Sequence, residues 1–156
     1  MIVLDLFKIR FSMFYGDKVE DTRPIFFQSW QKFLKKQELN MLEKQIAAVI
    51  ADHPEYHSFF SSDFTNLDKS YLPEMGETNP FFHLGLHLAI RDQIKLNRPQ
   101  GIQDIHQQLQ TKYKDNSQVE HLMMERLAEC LWQASKTQTM PNELKYINEL
   151  KALINN

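Results

Sequence analysis

A chain of 156 residues with 42% hydrophobic and 24% charged residues has the size of one ordinary domain and the composition of a globular protein, which excludes a wholly disordered chain. The net charge is -2, and the runs Lys35-Lys36 and Lys112-Tyr113-Lys114 are too short for a nucleic-acid surface. With 4 glycines and 6 prolines there are too few turns for a barrel or sandwich of short strands, and the single cysteine, Cys130, excludes an internal disulfide.

The N-terminal stretch, Met1 to Phe14, is apolar but carries Asp5, Lys8 and Arg10, and it lacks the order and cleavage site of a signal peptide. Thr22 then reads as an N-cap, with Arg23 and Pro24 in a first turn and Phe27, Trp30 and Leu34 at helical spacing beside Phe26 and Phe33. A second helix runs from about Asn40 to Ala51 on a stripe of Leu42, Ile46, Val49 and Ile50. Pro54 cannot continue it, so Asp52 or His53 caps a short new helical piece starting at Pro54.

From Ser58 to Thr78 the chain reads as a long loop carrying Phe59, Phe60, Phe64 and Tyr71, either a functional segment or a strap over the core. Asn79-Pro80 starts a third helix, to about Leu96. Asn97 to Gly101 breaks it, a fourth helix covers Ile102 to Tyr113, and a fifth runs from Asp115-Asn116-Ser117 to about Ser135. Met140-Pro141 opens a last one, with Leu144, Ile147, Leu150 and Ile154 on one side. The expected fold is therefore all-α, a single-domain bundle of five or six helices. The helices starting near Thr22, Asn40, Pro80 and Ser117 form its centre, and Trp30 and Trp132 are expected to be buried. No apolar run approaches the roughly 18 residues of a membrane span, so the expectation is a cytoplasmic protein with neither membrane nor nucleic acid as partner.

Residues four apart on a helix share a face. Three pairs have this spacing and polar, metal-ligating side chains: His53 and His57, His83 and His87, His121 and Glu125. His83 and His87 continue in line with Ile90 and Ile94, His121 and Glu125 with Ala128 and Trp132, and His53 and His57 with Leu42 and Ile46 across the bend at Pro54. Polar pairs aimed at a core are costly unless they satisfy one another or bind something. These six residues are the candidate ligands of a divalent metal such as zinc, iron, nickel or manganese. Glu129 flanks the Glu125 face, Glu74 and Glu77 are weaker candidates, and His106 reads as a surface residue. Cys130 lies on a different face from His121 and Glu125 and reads as a small buried hydrophobe, which argues against a Cys–His nucleophile.

The runs His53-Pro54-Glu55-Tyr56-His57 and Asn79-Pro80-Phe81-Phe82-His83-Leu84-Gly85-Leu86-His87, the loop Arg98-Pro99-Gln100-Gly101-Ile102, and the pattern His121, Met124-Glu125, Trp132, Pro141 are similar to a bacterial family, the domain-of-unknown-function family 1841. The resemblance runs from about Met13 onward and includes Phe26-Phe27 and Trp30. It implies a compact helical domain over 13–156 with a peripheral extension over 1–12, and it brings no function with it. Three readings stand open at this point. The first is a metal-binding helical protein, or a metal-dependent enzyme acting on a small-molecule substrate that the sequence leaves unknown. The second is a non-enzymatic interaction or assembly module, a homo-oligomer or the partner of another protein, whose histidines form a buried structural polar layer. The third is an acid–base enzyme using a histidine pair near neutral pH.

Overall fold

The computed structural model describes residues 23–61 and 79–156. The cap at Thr22, the extension over 1–12, and the greater part of the expected loop, with Glu74 and Glu77, lie outside the described residues. Seven α-helices and one short 3-10 turn are found among the described residues, and no strand. The helices are α1 (Arg23–Leu34), α2 (Met41–Ala51), α3 (His57–Ser61), α4 (Pro80–Leu96), α5 (Ile102–Tyr113), α6 (Asn116–Thr137) and α7 (Glu143–Asn155), with the 3-10 turn at Pro54–Tyr56. The count exceeds the expected five or six because the piece that begins at Pro54 closes into a turn and then a helix of its own, α3, which extends to Ser61 where a loop was expected from Ser58.

The starts of these helices follow from their caps. Asn40 and Glu43 form a reciprocal capping box on α2: the Glu43 amide donates to Asn40 Oδ1 at 2.9 Å, and the Asn40 amide donates to Glu43 Oε1 at 3.1 Å. Asn79 Oδ1 accepts from the amides of Phe81 and Phe82 at the start of α4, ahead of a proline that has no amide to satisfy. Asp115 and Asn142 cap α6 and α7 in the same way. Between α4 and α5 the chain reverses through two residues of positive φ, Asn97 (50°) and Gly101 (96°), and Asn97 Oδ1 accepts from the amides of Gly101 and Gln103.

These residues divide into two compact units, with the boundary between Leu88 and Ala89. The first is aromatic. Phe26, Phe27, Trp30, Phe60 and Phe81 are buried together with Ile46, Val49, Ile50, Leu84 and Leu88. Phe60 packs edge-on against Phe27, Phe59 and Phe81 at centroid distances of 5.2, 4.9 and 5.7 Å, the arrangement that ring quadrupoles favour. Lys32 on α1 pairs with Glu43 on α2 at 2.7 Å, and this contact, with the Asn40 amide, holds the Glu43 carboxyl below the usual carboxylate range.

The second unit packs α5, α6 and α7 against one another. Its buried side chains are Ile102, Ile105 and Leu109 from α5, Val119, Met123, Met124, Leu127, Leu131 and Ala134 from α6, and Tyr146, Leu150 and Leu153 from α7. Lys112 Nζ donates to the carbonyls of Leu153 and Ile154, and the Tyr113 hydroxyl donates to that of Leu153, closing the C-terminal end of α7.

Three expectations about helix faces are corrected here. Trp132 is 52% exposed, with Lys136 Nζ 4.9 Å from its ring centroid, so it is not a core tryptophan as Trp30 is at 3%. The buried line of α6 runs through Val119, Met123, Leu127, Leu131 and Ala134, which leaves Glu125 and Glu129 exposed; Glu129 accepts from Gln133 Nε2 instead of supporting Glu125. On α7 the buried line is Tyr146, Leu150 and Leu153, which leaves Leu144 at 73% exposure. His106, expected on the surface, is half-buried, and that burial pushes its imidazole pKa down against the opposing charge of Glu120.

Candidate metal centre

The histidines of the first unit come from two places. His53 follows the last turn of α2, where its amide still donates to the Ile50 carbonyl before Pro54 redirects the chain. His83 and His87 lie one turn apart on α4, whose direction is set by the Asn79-Pro80 start. The Nε2 atoms meet: His53 Nε2 lies 3.0 Å from His87 Nε2, which in turn lies 3.2 Å from His83 Nε2. The three rings each offer a nitrogen within 4.8 Å of the others, with His53 and His87 buried and His83 half-buried.

The protons at this junction do not suffice for two hydrogen bonds. His53 Nδ1 donates to the Val49 carbonyl at 2.7 Å, so a neutral His53 carries its lone pair on Nε2. His87 Nε2 then holds either one hydrogen or one lone pair. With a hydrogen it can donate along only one of its two contacts; with a lone pair it faces the lone pair of His53 at 3.0 Å. Leaving a buried polar atom unsatisfied costs roughly 1–3 kcal/mol. A cation at the junction removes the conflict by turning the lone pairs into ligands. With metal–nitrogen bonds near 2.0–2.1 Å, two ligand nitrogens lie about 2.9 Å apart at right-angle coordination and about 3.3 Å apart at tetrahedral coordination. The observed 3.0 and 3.2 Å fall between these values.

His57 is not brought to this junction. Its Nε2 donates to the Ile50 carbonyl at 2.9 Å, and its ring packs on Trp30 with 4.6 Å between centroids. The four-residue spacing from His53 does not put the two rings on one face, because a 3-10 turn separates α2 from the helix that His57 begins. His57 thus serves the junction of α1, α2 and α3: Trp30 Nε1 donates to Ser61 Oγ at 3.3 Å, and Ser61 Oγ donates to the His57 carbonyl.

His121 and Glu125 belong to the second unit. His121 is half-buried, and its Nδ1 donates to the Ser117 carbonyl at 2.7 Å, the same anchoring that His53 has, which leaves the lone pair of the neutral ring on Nε2. Glu125, one turn on, is exposed. Tyr56 was not among the candidates from sequence, yet its ring lies 6.0 Å from that of His53 and 5.9 Å from that of His83. The signal was the turn at Pro54, which folds residue 56 back over residue 53 instead of carrying it forward along a helix.

A set of neutral imidazole nitrogens suits zinc, iron and nickel, and it is a poor match for magnesium or calcium, which take oxygen ligands. No helix among the described residues is long and apolar enough to cross a membrane. The profile of the family described as Domain of unknown function (DUF1841) matches residues 18–152 of the chain. No curated protein and no solved structure matches it.

Proposed function

The chain belongs to this DUF1841 family, and from its histidine chemistry we propose that it is a metal-binding helical protein that holds one divalent transition-metal ion through the Nε2 atoms of His53, His83 and His87. The observation that supports this reading is the nitrogen-to-nitrogen contact of His87 Nε2 with two other Nε2 atoms at 3.0 and 3.2 Å, which neutral histidines cannot convert into two hydrogen bonds. The anchoring of His53 Nδ1 on Val49 adds to it, because metal-bound histidines hold their other ring nitrogen on a carbonyl or carboxylate.

Bound to these three imidazoles, the ion would act as a structural clamp between the end of α2 and α4 or, with a position left for solvent, as a Lewis acid that activates water.

A second reading is favoured by one specific observation. An added proton on His53 would let its Nε2 donate to the one lone pair of His87 Nε2, so a buried cationic layer without metal relieves the clash of lone pairs between His53 and His87. Metal analysis of untagged protein purified without added metal separates the two. The metal reading expects about one equivalent of zinc, iron or nickel in the wild type, with most of it lost in His87→Ala. A wild type without metal, whose melting is unchanged by chelator, contradicts it and selects the protonated layer.

A further inference from the structure

The end of α2 presents two carbonyls that the helix ladder does not serve. In a continuing helix the Val49 and Ile50 carbonyls accept from the amides of residues 53 and 54. Residue 54 is a proline without an amide, and the His53 amide turns to the Ile50 carbonyl at 3.0 Å. Two imidazoles supply the donors in their place. His53 Nδ1 donates to the Val49 carbonyl at 2.7 Å, and His57 Nε2 donates to the Ile50 carbonyl at 2.9 Å. Val49 and Ile50 are fully buried, so solvent cannot stand in for either donor.

The Ile50 carbonyl therefore receives the amide of His53 and the ring of His57, one donor for each lone pair. His57 is itself held in place. Its ring packs on Trp30, and Ser61 Oγ donates to its carbonyl at 2.6 Å while accepting from Trp30 Nε1. The backbone that carries His53 is thus fixed by a side chain from beyond the turn, and the direction in which His53 Nε2 meets His87 Nε2 follows from that backbone.

We propose that His57 is a positioning residue of the metal site: its hydrogen bond to the Ile50 carbonyl fixes the turn at Pro54, so that His53 Nε2 is already aimed at the junction when the ion arrives. This rests on the metal reading above. His57 gives no electron pair to the ion through Nε2, because that atom carries the proton that the Ile50 carbonyl accepts. Its contribution is to affinity, since a ligand held in place before binding has less freedom to lose on binding. The run from His53 to His57 then works as one device. Pro54 leaves the carbonyls without their ladder donors, His53 takes one of them and keeps Nε2 for the ion, and His57 takes the other.

Zinc affinity is measured by competition with a chromophoric chelator in three proteins. Wild type is expected to bind one equivalent. His57→Phe keeps an aromatic ring against Trp30 but has no donor, and it is expected to bind one equivalent about tenfold more weakly. His57→Gln, whose Nε2 donates from a similar reach, is expected to recover most of that loss. If the hydrogen bond strengthens zinc binding, zinc must by reciprocity strengthen the hydrogen bond. Solvent exchange of the His57 Nε2 proton, followed by NMR in wild type, is therefore expected to slow when zinc is added, a measurement that does not depend on the folding of any variant. Equal zinc affinity in wild type and His57→Phe overturns the proposal. So does an equal loss in His57→Phe and His57→Gln, which would assign the effect to the ring, and so does an exchange rate indifferent to zinc. Complete loss of zinc from a folded His57→Phe overturns it too, because His57 would then be a ligand. Any of these results with zinc bound to wild type leaves the metal reading standing, whereas a wild type that takes up no zinc removes that reading and this one with it.

Discussion

In the unit from Ala89 onward the buried polar contact joins a donor to an acceptor: the Tyr146 hydroxyl donates to Gln93 Oε1 at 2.7 Å, both side chains buried. Burial raises the Tyr146 pKa far enough to keep the phenol protonated at all ordinary pH, so the contact persists unchanged. In the unit ending at Leu88 the buried polar contacts run from nitrogen to nitrogen, and the available protons serve only one of the two. The first arrangement satisfies the hydroxyl and the amide oxygen, while Gln93 Nε2 is buried without a hydrogen-bond partner among the described residues. The second leaves one of its two contacts without a proton. Burial of polar atoms is common to both, and so is an incomplete match of donors and acceptors; what distinguishes the unit ending at Leu88 is that three like nitrogens converge on one point.

The largest expected effect contrasts the two tryptophans. Trp30→Ala removes a buried ring stacked on Phe33 and tilted against His57 and should cost about 3–5 kcal/mol in denaturant unfolding. Trp132→Ala removes a half-exposed ring and should stay within about 0.5 kcal/mol. A costly Trp132→Ala would mean that this ring is covered by a partner or a second copy, and would revive the assembly-module reading.

That contrast also shows what was legible in the sequence. Helix starts were, because Asn40 with Glu43, Asn79 with Pro80, and Pro54 each act through local backbone chemistry that needs no tertiary context. The pair His83 and His87 was legible for the same reason: both lie inside one uninterrupted helix. The phase of α6 was not. A helix of 22 residues with Val119, Met123, Met124, Leu127, Leu131 and Trp132 offers two overlapping apolar lines, and the large ring drew the assignment towards the one that also carries His121 and Glu125. Packing against α5 and α7 settled on the other, and the cation of Lys136 covers the ring left outside. The His53 and His57 pair failed for a different reason, since the spacing rule holds only within a continuous helix and a 3-10 turn intervenes. The convergence of nitrogens from α2 and α4 depends on a contact between residues 34 apart, which no local pattern encodes.

A second test sharpens the difference between the two buried polar contacts. Tyr146→Phe strands Gln93 Oε1 and should cost about 1–3 kcal/mol, by the same amount with and without chelator. His87→Ala should abolish the sensitivity of melting to chelator, because the stabilisation by a bound ion disappears with its ligand. His57→Phe should leave that sensitivity in place, since the His57 nitrogen is engaged by the Ile50 carbonyl. Chelator sensitivity that survives His87→Ala would place the ion elsewhere.

The smallest effect changes only in acid. The carboxyl of Glu43 is held below its usual pKa of 4.5 by its hydrogen bond from Lys32 first and by the Asn40 amide second. A depressed folded-state pKa contributes stability that is fully present above about 4.5 and is lost as pH falls through the folded value. Glu43→Gln should therefore narrow the gap to wild type as pH drops below about 4.5 and keep it constant above. A gap that widens in acid would reverse the sign and show that the ion pair between α1 and α2 does not form in solution.

X-ray absorption at the edge of the metal bound by wild-type protein tests the nitrogen junction most directly. At least three nitrogen scatterers at about 2.0–2.1 Å, with the outer-shell pattern of imidazole rings, are expected, and His53→Ala, His83→Ala and His87→Ala should each remove a scatterer or the ion. A first shell of oxygen or sulfur without imidazole, or a spectrum indifferent to all three substitutions, would contradict the assignment of these histidines as ligands.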